Sequence, residues 1–301
     1  DIRGLVDQDL TEEAVHLVGK ALGTLIRRAG GRAAVVGRDC RESGPRFARR
    51  MIAGLTSTGL DVVDVGVVPT PLVYFAAATL QVDGLCMITG SHTPPEYNGL
   101  KVGVGKTTLH GDGIQEIRRL IESGAFAEGS GAVRAHDVVA PYRAHVKDNL
   151  GLGPRRLKVV VDAGNGTGGV VAVPLFQSLG VEVVPLFVEM DGTFPNHHPD
   201  PTVEKNLEHL RRKVLEVKAD LGIAYDGDAD RVGAVDEKGG VLWGDQLMIL
   251  FSRAVLAENP GATIVGEVKC STTLYDDIAA RGGRGIMWKA GHSLIKAKMK
   301  E

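Results

Sequence analysis

The chain has 301 residues, with Lys+Arg 35 against Asp+Glu 37 and a formal charge of -2, a balance that gives no electrostatic case for nucleic acid or a membrane surface as its partner. Its length exceeds what one hydrophobic core usually supports, so two or three domains are expected. The three cysteines, Cys40, Cys86 and Cys270, are far apart and read as reduced thiols of a cytoplasmic protein, while no apolar run nears the roughly 20 residues of a membrane span and no leader is visible.

From the amino terminus, "DIRGLV" reads as a charged turn leading into an apolar residue. A strand, polar loop, helix and second strand follow from Ala33 in "AAVVGRDCRESGPRFARRMIAGLTSTGLDVVDV". The same order recurs from Leu157 in "LKVVVDAGNGTGGVVAVPLFQSLGVEVVPL" and from Ala262 in "ATIVGEVKCSTTLYDDIAARGGRGIMW". These strands are short, β-branched and nearly all apolar, as strands covered by helices on both faces must be, and the spacing is that of small domains and not of a solenoid. The predicted class is α/β, three similar domains in tandem. Gly129 to Asp137 and Asp236 to Gly240 are the best linkers, which gives domains 1–137, 138–239 and 240–301. The chain closes inside "GHSLIKAKMKE", a helical pattern with no glycine stop, and is expected to be part of a longer protein.

Two loops carry chemistry. In "ITGSHTPPEYNGLKV" an apolar strand ends at a serine, Ser91, and the following prolines and Asn-Gly turn stiffen what comes next. In "LGIAYDGDADRVGAVDEKG" Asp226, Asp228 and Asp230 alternate between two apolar strands. Three carboxylates so close repel one another unless a cation sits among them, and a hard ion with oxygen ligands is the economical solution. Arg231 beside such an ion suits a phosphoryl group. An EF-hand is rejected because Arg231 stands where its glycine belongs and the flanks are strands.

Rival motifs fare unequally. Gly164, Gly166 and Gly169 satisfy G-x-G-x-x-G after a strand, with Glu189 at a spacing suited to a ribose contact, so a dinucleotide-dependent dehydrogenase competes. "VGVGKTT" fails as a phosphate loop because Leu100 occupies its first glycine position. The serine-hydrolase elbow fails because Thr89 and Thr93 flank Ser91. Singly, Lys101 reads as a strand cap, Arg3 as a surface charge and His292 as the start of a helix. His197 and His198 in "FPNHHPDP" read as a structural loop, and Lys269 ends a strand of the third unit, where open α/β sheets place ligand contacts.

Taken together, "DIRG", "VGRDCRESGP", "VPTPLVYFAA", "TGSHTPPEYNGLK", "DAGNGTGG", "FPNHHPDP", "DGDADRVG" and "WKAGHSLIK" resemble, in order and over essentially the whole chain, the α-D-phosphohexomutases of the bacterial phosphomannomutase/phosphoglucomutase type. The resemblance implies mixed sheets sandwiched by helices and an active-site cleft between domains. It implies reversible conversion of hexose 6-phosphate to hexose 1-phosphate, of mannose or glucose, with Ser91 as an exposed-loop phosphoserine and a 1,6-bisphosphate intermediate. Mg²⁺ would be held by Asp226, Asp228, Asp230 and a phosphoryl oxygen on Ser91, with Arg231, Lys101 and Arg3 completing the positive field. Lys101 ranks above His92 as proton partner, since adjacent residues do not easily pair as nucleophile and base, while Lys269 and His292 would face the sugar phosphate. Glucose 1,6-bisphosphate or mannose 1,6-bisphosphate would activate a cytoplasmic monomer that has no nucleic-acid or membrane partner. Thr93 and Ala229 depart from the family's usual Asn and Gly. The family's sugar-reading segment and fourth domain are expected beyond Glu301. A phosphoglucosamine mutase, or a binding protein that keeps the metal and sugar-phosphate cleft without turnover, are the alternatives.

Overall fold

The computed structural model describes residues 2–301. Among these, two compact units are found, 1–239 and 240–301. The first unit opens with strand β1 (Ile2–Leu5), where the sequence suggests only a turn, and helix α1 (Glu12–Arg28). Thr11 caps α1 by accepting from the Ala14 N–H, with Glu12 and Glu13 in the first turn and Arg27 and Arg28 in the last, all favourable to the helix dipole. Next come β2 (Ala33–Arg38), α2 (Gly44–Thr56), β3 (Asp61–Val67), α3 (Thr70–Thr79), β4 (Gly84–Ile88), β5 (Tyr97–Val104), β6 (Thr107–Thr108), α4 (Asp112–Ser123) and β7 (Val133–Ala135). The resulting sheet runs β1-β5-β4-β2-β3-β7, with β6 beside β5. Strands β4, β2, β3 and β7 are parallel, and β5 is antiparallel to both β4 and β1. The sheet is therefore mixed.

Both faces of this sheet are covered. Val15, Leu22 and Ile26 of α1 and Phe47, Met51 and Leu55 of α2 pack on Val36, Val62, Cys86 and Leu100. Leu72, Val73 and Ala76 of α3 pack on Val35, Val63 and Met87 from the other side. The segment Gly129–Asp137 is not a free linker, because it supplies β7 at the sheet edge.

The first unit continues with α5 (Val139–Asn149), β8 (Lys158–Asp162), α6 (Gly169–Ser178), β9 (Glu182–Leu186), a 3₁₀ turn (Glu204–Leu207), α7 (Glu208–Val217), β10 (Leu221–Tyr225) and β11 (Val232–Asp236). Here β9, β8 and β10 are parallel and β11 is antiparallel to β10. The second unit holds β12 (Val241–Leu242), α8 (Gly244–Glu258), β13 (Thr263–Glu267), α9 (Thr272–Ala280), β14 (Arg284–Trp288) and α10 (His292–Lys298), with β13 and β14 parallel and Leu256, Leu274 and Ile278 forming its core. In the first unit the carboxyl ends of β2, β4, β8 and β10 each pass into a polar loop, which is where parallel sheets build sites.

Candidate active site

Strand β4 is wholly buried and delivers Ser91 at its carboxyl end. The loop is exposed at Pro94, Pro95 and Glu96, but Ser91 itself is not as the sequence suggests: it is only 1% exposed, because the acidic loop after β10 lies against it. Its Oγ donates to Asp226 Oδ2 at 2.8 Å and lies 3.2 Å from His92 Nδ1. The expectation that neighbours in sequence do not pair this way is corrected. Ser91 has a φ of 53°, and that left-handed turn brings its side chain back toward the ring of His92.

Asp226, Asp228 and Asp230 offer oxygens that all lie within 4.8 Å of one another. Asp226 Oδ1 accepts from the Asp230 and Arg231 N–H groups at 3.0 Å each and folds the loop on itself. The turn requires Ala229 at a φ of 53°, the strained position anticipated from the family's usual glycine. Asp228 Oδ2 accepts from Thr70 Oγ1 at 2.5 Å and from Lys101 Nζ at 2.6 Å, and Lys101 also reaches Asp230. Lys101 is no strand cap. It sits in the middle of β5, 3% exposed, beneath the acidic loop.

These contacts set the charges. Burial, then the negative neighbours Asp228 and Asp230, push the Asp226 carboxyl well above the usual range. Burial would also raise Asp228, but Lys101 outweighs it and holds Asp228 low. Burial opposes the Lys101 ammonium, yet Asp228 and Asp230 prevail and keep it charged. His92 is held below its ordinary value by burial first and by Arg231 next. It is therefore a neutral imidazole beside the serine, with Arg231 and Arg3 as the cations near it.

The site fits a hard divalent ion. Its donors are carboxylate oxygens alone, and Asp228 Oδ1 is buried without any hydrogen-bond partner, the state of an atom meant for a cation. Arg231 and Arg3 are exposed at the rim. Lys269 and His292 belong to the second unit. Lys269 stands two residues past β13 and pairs with Glu267 at 3.0 Å, and His292 opens α10.

The glycine-rich loop after β8 is used internally. A Cβ at Gly166 would lie 2.5 Å from the Gly227 carbonyl oxygen, and one at Gly169 would lie 2.6 Å from the Val188 carbonyl oxygen. Its glycines thus admit neighbouring backbone, where a dinucleotide fingerprint would admit pyrophosphate. His197 Nε2 lies 3.1 Å from both oxygens of buried Asp162, so "FPNHHPDP" is structural. Sequence reasoning gave no role to Asp39 and Arg41, which lie buried beneath Ser91. Nothing in "GRDCRESG" distinguishes them from an exposed polar turn.

Within the first unit, α/β layers bring a serine loop against a carboxylate cluster at their strand ends, a nucleophile-type side chain beside cation-type ligands. The comparisons with known proteins make the class specific. The phosphoglucomutase/phosphomannomutase alpha/beta/alpha domain I matches residues 1–128, domain II residues 140–240 and domain III residues 243–301. The chain belongs to the phosphoglucomutase/phosphomannomutase family.

Over 301 residues it is 46% identical to the phosphomannomutase/phosphoglucomutase of Pseudomonas aeruginosa, all of this chain covering 65% of that one. It is 43% identical to the phosphoglucomutase of Neisseria meningitidis, covering 66% of it. The crystal structure of a family member from Burkholderia thailandensis superposes with a TM-score of 0.97 at 43% identity, over 100% of this chain and 67% of that one. The chain thus spans about two thirds of the length of these relatives. Among the described residues no helix is long and apolar enough to cross a membrane.

Proposed function

We infer that the protein interconverts hexose 6-phosphates and hexose 1-phosphates of mannose and glucose through a phosphorylated Ser91 and a 1,6-bisphosphate. The observation that carries this is the Ser91 hydroxyl, 2.8 Å from Asp226 in a cluster whose Asp228 Oδ1 is unpartnered and which keeps one buried ammonium, Lys101. Mg²⁺ suits the all-oxygen donor set. Held by Asp226, Asp228 and Asp230, it supplies, when bound, neutralisation of charge on the transferring group.

In the proposed cycle a hexose phosphate hydroxyl takes the phosphoryl group from Ser91. One P–O bond forms to the sugar and the bond to Ser91 Oγ breaks, while the proton lost by the sugar hydroxyl is balanced by one gained at the freed Ser91 Oγ. The bisphosphate then returns its other phosphoryl group to Ser91. Neutral His92, 3.2 Å from Oγ, suits the proton transfer at the serine better than Lys101, which two carboxylates keep protonated. Lys101 instead contributes fixed positive charge, with Arg231 and Arg3 at the rim. In this scheme residues 1–137 carry the phosphoserine, 138–239 the metal loop and 240–301 the sugar-phosphate contacts Lys269 and His292. The protein works as a cytoplasmic monomer activated by glucose 1,6-bisphosphate or mannose 1,6-bisphosphate.

Intact-mass measurement after incubation with glucose 1,6-bisphosphate and Mg²⁺ tests it. One added phosphate, about 80 Da, is expected on the wild type and not on Ser91→Ala, whose turnover should vanish with the fold intact. Phosphate retained by Ser91→Ala, or never taken up by the wild type, would overturn the assignment.

A further inference from the structure

The loop that carries Ser91 rests on a buried guanidinium. Arg41 is 1% exposed, and each of its five side-chain N–H groups has its own acceptor. Nε donates to Asp39 Oδ2 at 3.2 Å, and Nη1 donates to the Pro94 and Tyr97 carbonyls at 2.6 and 3.0 Å. Nη2 donates to the Ser91 and Thr93 carbonyls at 3.0 and 2.6 Å. Asp39 completes the support from the amide side. Its Oδ2 accepts from Gly90 N at 3.2 Å and Thr89 Oγ1 at 2.7 Å, and Thr89 Oγ1 in turn accepts from Ser91 N at 2.7 Å. The loop lies flat on the guanidinium: a Cβ at Gly90 would sit 2.5 Å from Arg41 Cζ and Nε.

The left-handed φ of 53° at Ser91 is a conformation a serine does not keep unless its surroundings impose it. Both of its peptide groups are held here, the N–H through Thr89 and the carbonyl by Arg41. The geometry points to Arg41, Asp39 and Thr89 as positioning residues for the phosphoryl carrier, fixing the Ser91 hydroxyl over the acidic loop without touching substrate. This assignment rests on the proposed role of Ser91. A lysine cannot replace Arg41, because three donors on a point charge cannot serve five acceptors spread around a plane.

The test is Arg41→Lys, compared with the wild type for turnover and for the rate at which Ser91 acquires phosphate from glucose 1,6-bisphosphate, followed by intact mass. Both kcat and the phosphorylation rate should fall about a hundredfold, as when a reacting group is misplaced by 1 Å. KM for the hexose phosphate and the Mg²⁺ affinity should stay within about threefold, and the fraction of chains finally phosphorylated should match the wild type, an end point that a general loss of folded protein would lower. If circular dichroism shows Arg41→Lys unfolded, Thr89→Val decides. It keeps the side-chain volume, removes the acceptor of the Ser91 N–H, and should slow phosphorylation about tenfold. Wild-type phosphorylation rates in the folded variants would overturn the inference while leaving Ser91 as carrier. A wild-type protein that takes no phosphate would instead remove the functional proposal itself.

Discussion

Gly227→Ala puts the contact between the serine and acidic loops to a direct test. A Cβ at Gly227 would lie 2.5 Å from the Ser91 carbonyl oxygen, whereas ordinary contact begins at 3.4 Å, so the two loops must part by about 1 Å. Neither side yields easily. The Ser91 carbonyl is tied to Arg41 at 3.0 Å, and Gly227 is tied by its own carbonyl to Thr167 N at 3.0 Å. Overpacking of this kind costs about 1–3 kcal/mol, a fall in melting temperature of roughly 5 °C. The larger effect falls on chemistry, because the same separation stretches the 2.8 Å contact of Ser91 Oγ with Asp226. A loss of about a hundredfold in kcat is expected, with KM little changed. The assay is hexose 1-phosphate turnover with the 1,6-bisphosphate supplied, alongside thermal unfolding. Gly151→Ala serves as control, since a Cβ there meets open space. Wild-type kcat in a folded Gly227→Ala protein would refute the claim that the close approach of these loops is part of the active geometry.

Asp228→Asn removes the carboxylate that holds Lys101 and offers the unpartnered Oδ1. Titration calorimetry should show weaker Mg²⁺ binding, with activity partly restored by excess Mg²⁺, and unchanged affinity would reduce the acidic loop to a turn. Ala229→Gly relieves a φ of 53° and should raise the unfolding free energy read from urea titration by up to about 1 kcal/mol, after the extra freedom glycine gains when unfolded; a lowered value would mean that the turn is not strained. His197 Nδ1 faces the His198 carbonyl at 2.9 Å and Nε2 faces Asp162, a set of acceptors that only the imidazolium satisfies. Burial opposes that charge, but Asp162 prevails and raises the folded value above the ordinary 6.5. The stabilisation is therefore complete below pH 6.5 and fades as pH rises through the folded value, so urea midpoints of His197→Gln should fall less across that window, and an unaltered slope would reject the ion pair.

The chemistry was legible wherever residue type alone carries it. Alternating carboxylates after an apolar strand call for a cation whatever surrounds them, whereas Ser91 stood out only through the resemblance of its loop to a family. The third-dimensional partners were not. Ser91 looked exposed because its loop is polar, and it is buried because a second loop, far away in sequence, closes over it. Lys101 looked like a cap, although "NGLKVGV" does hold a clue. Alternation along β5 puts Lys101 on one face with Gly99 and Gly103, so the strand clears space around a lysine. Arg41 left no such trace: two residues from an aspartate, it has the pattern of a solvated turn. Strand β1 was missed because its four residues are held by pairing with β5 and not by any apolar alternation of their own.

The glycine-rich loop shows why one motif supported two chemistries in sequence. Glycine marks a place where something comes close to the backbone, and a phosphate and another chain segment make the same demand. Here the approaching groups are themselves loops. Gly166 admits the Gly227 carbonyl, Gly227 admits the Ser91 carbonyl, and Gly90 admits the Arg41 guanidinium. The loops after β8, β10 and β4 and the side chain below thus form one column of contacts without intervening side chains. A methyl group added at any of these three glycines presses on the next member of this chain of contacts, and Ser91 is one of its members. Arg41 donates to the Ser91 carbonyl and Asp39 accepts from the Gly90 N–H just before it, and backbone of the acidic loop closes on the same serine. The position of Ser91 is then a property of strand ends in a rigid sheet. That suits the role proposed for it, in which phosphate must be accepted in the same place on every cycle.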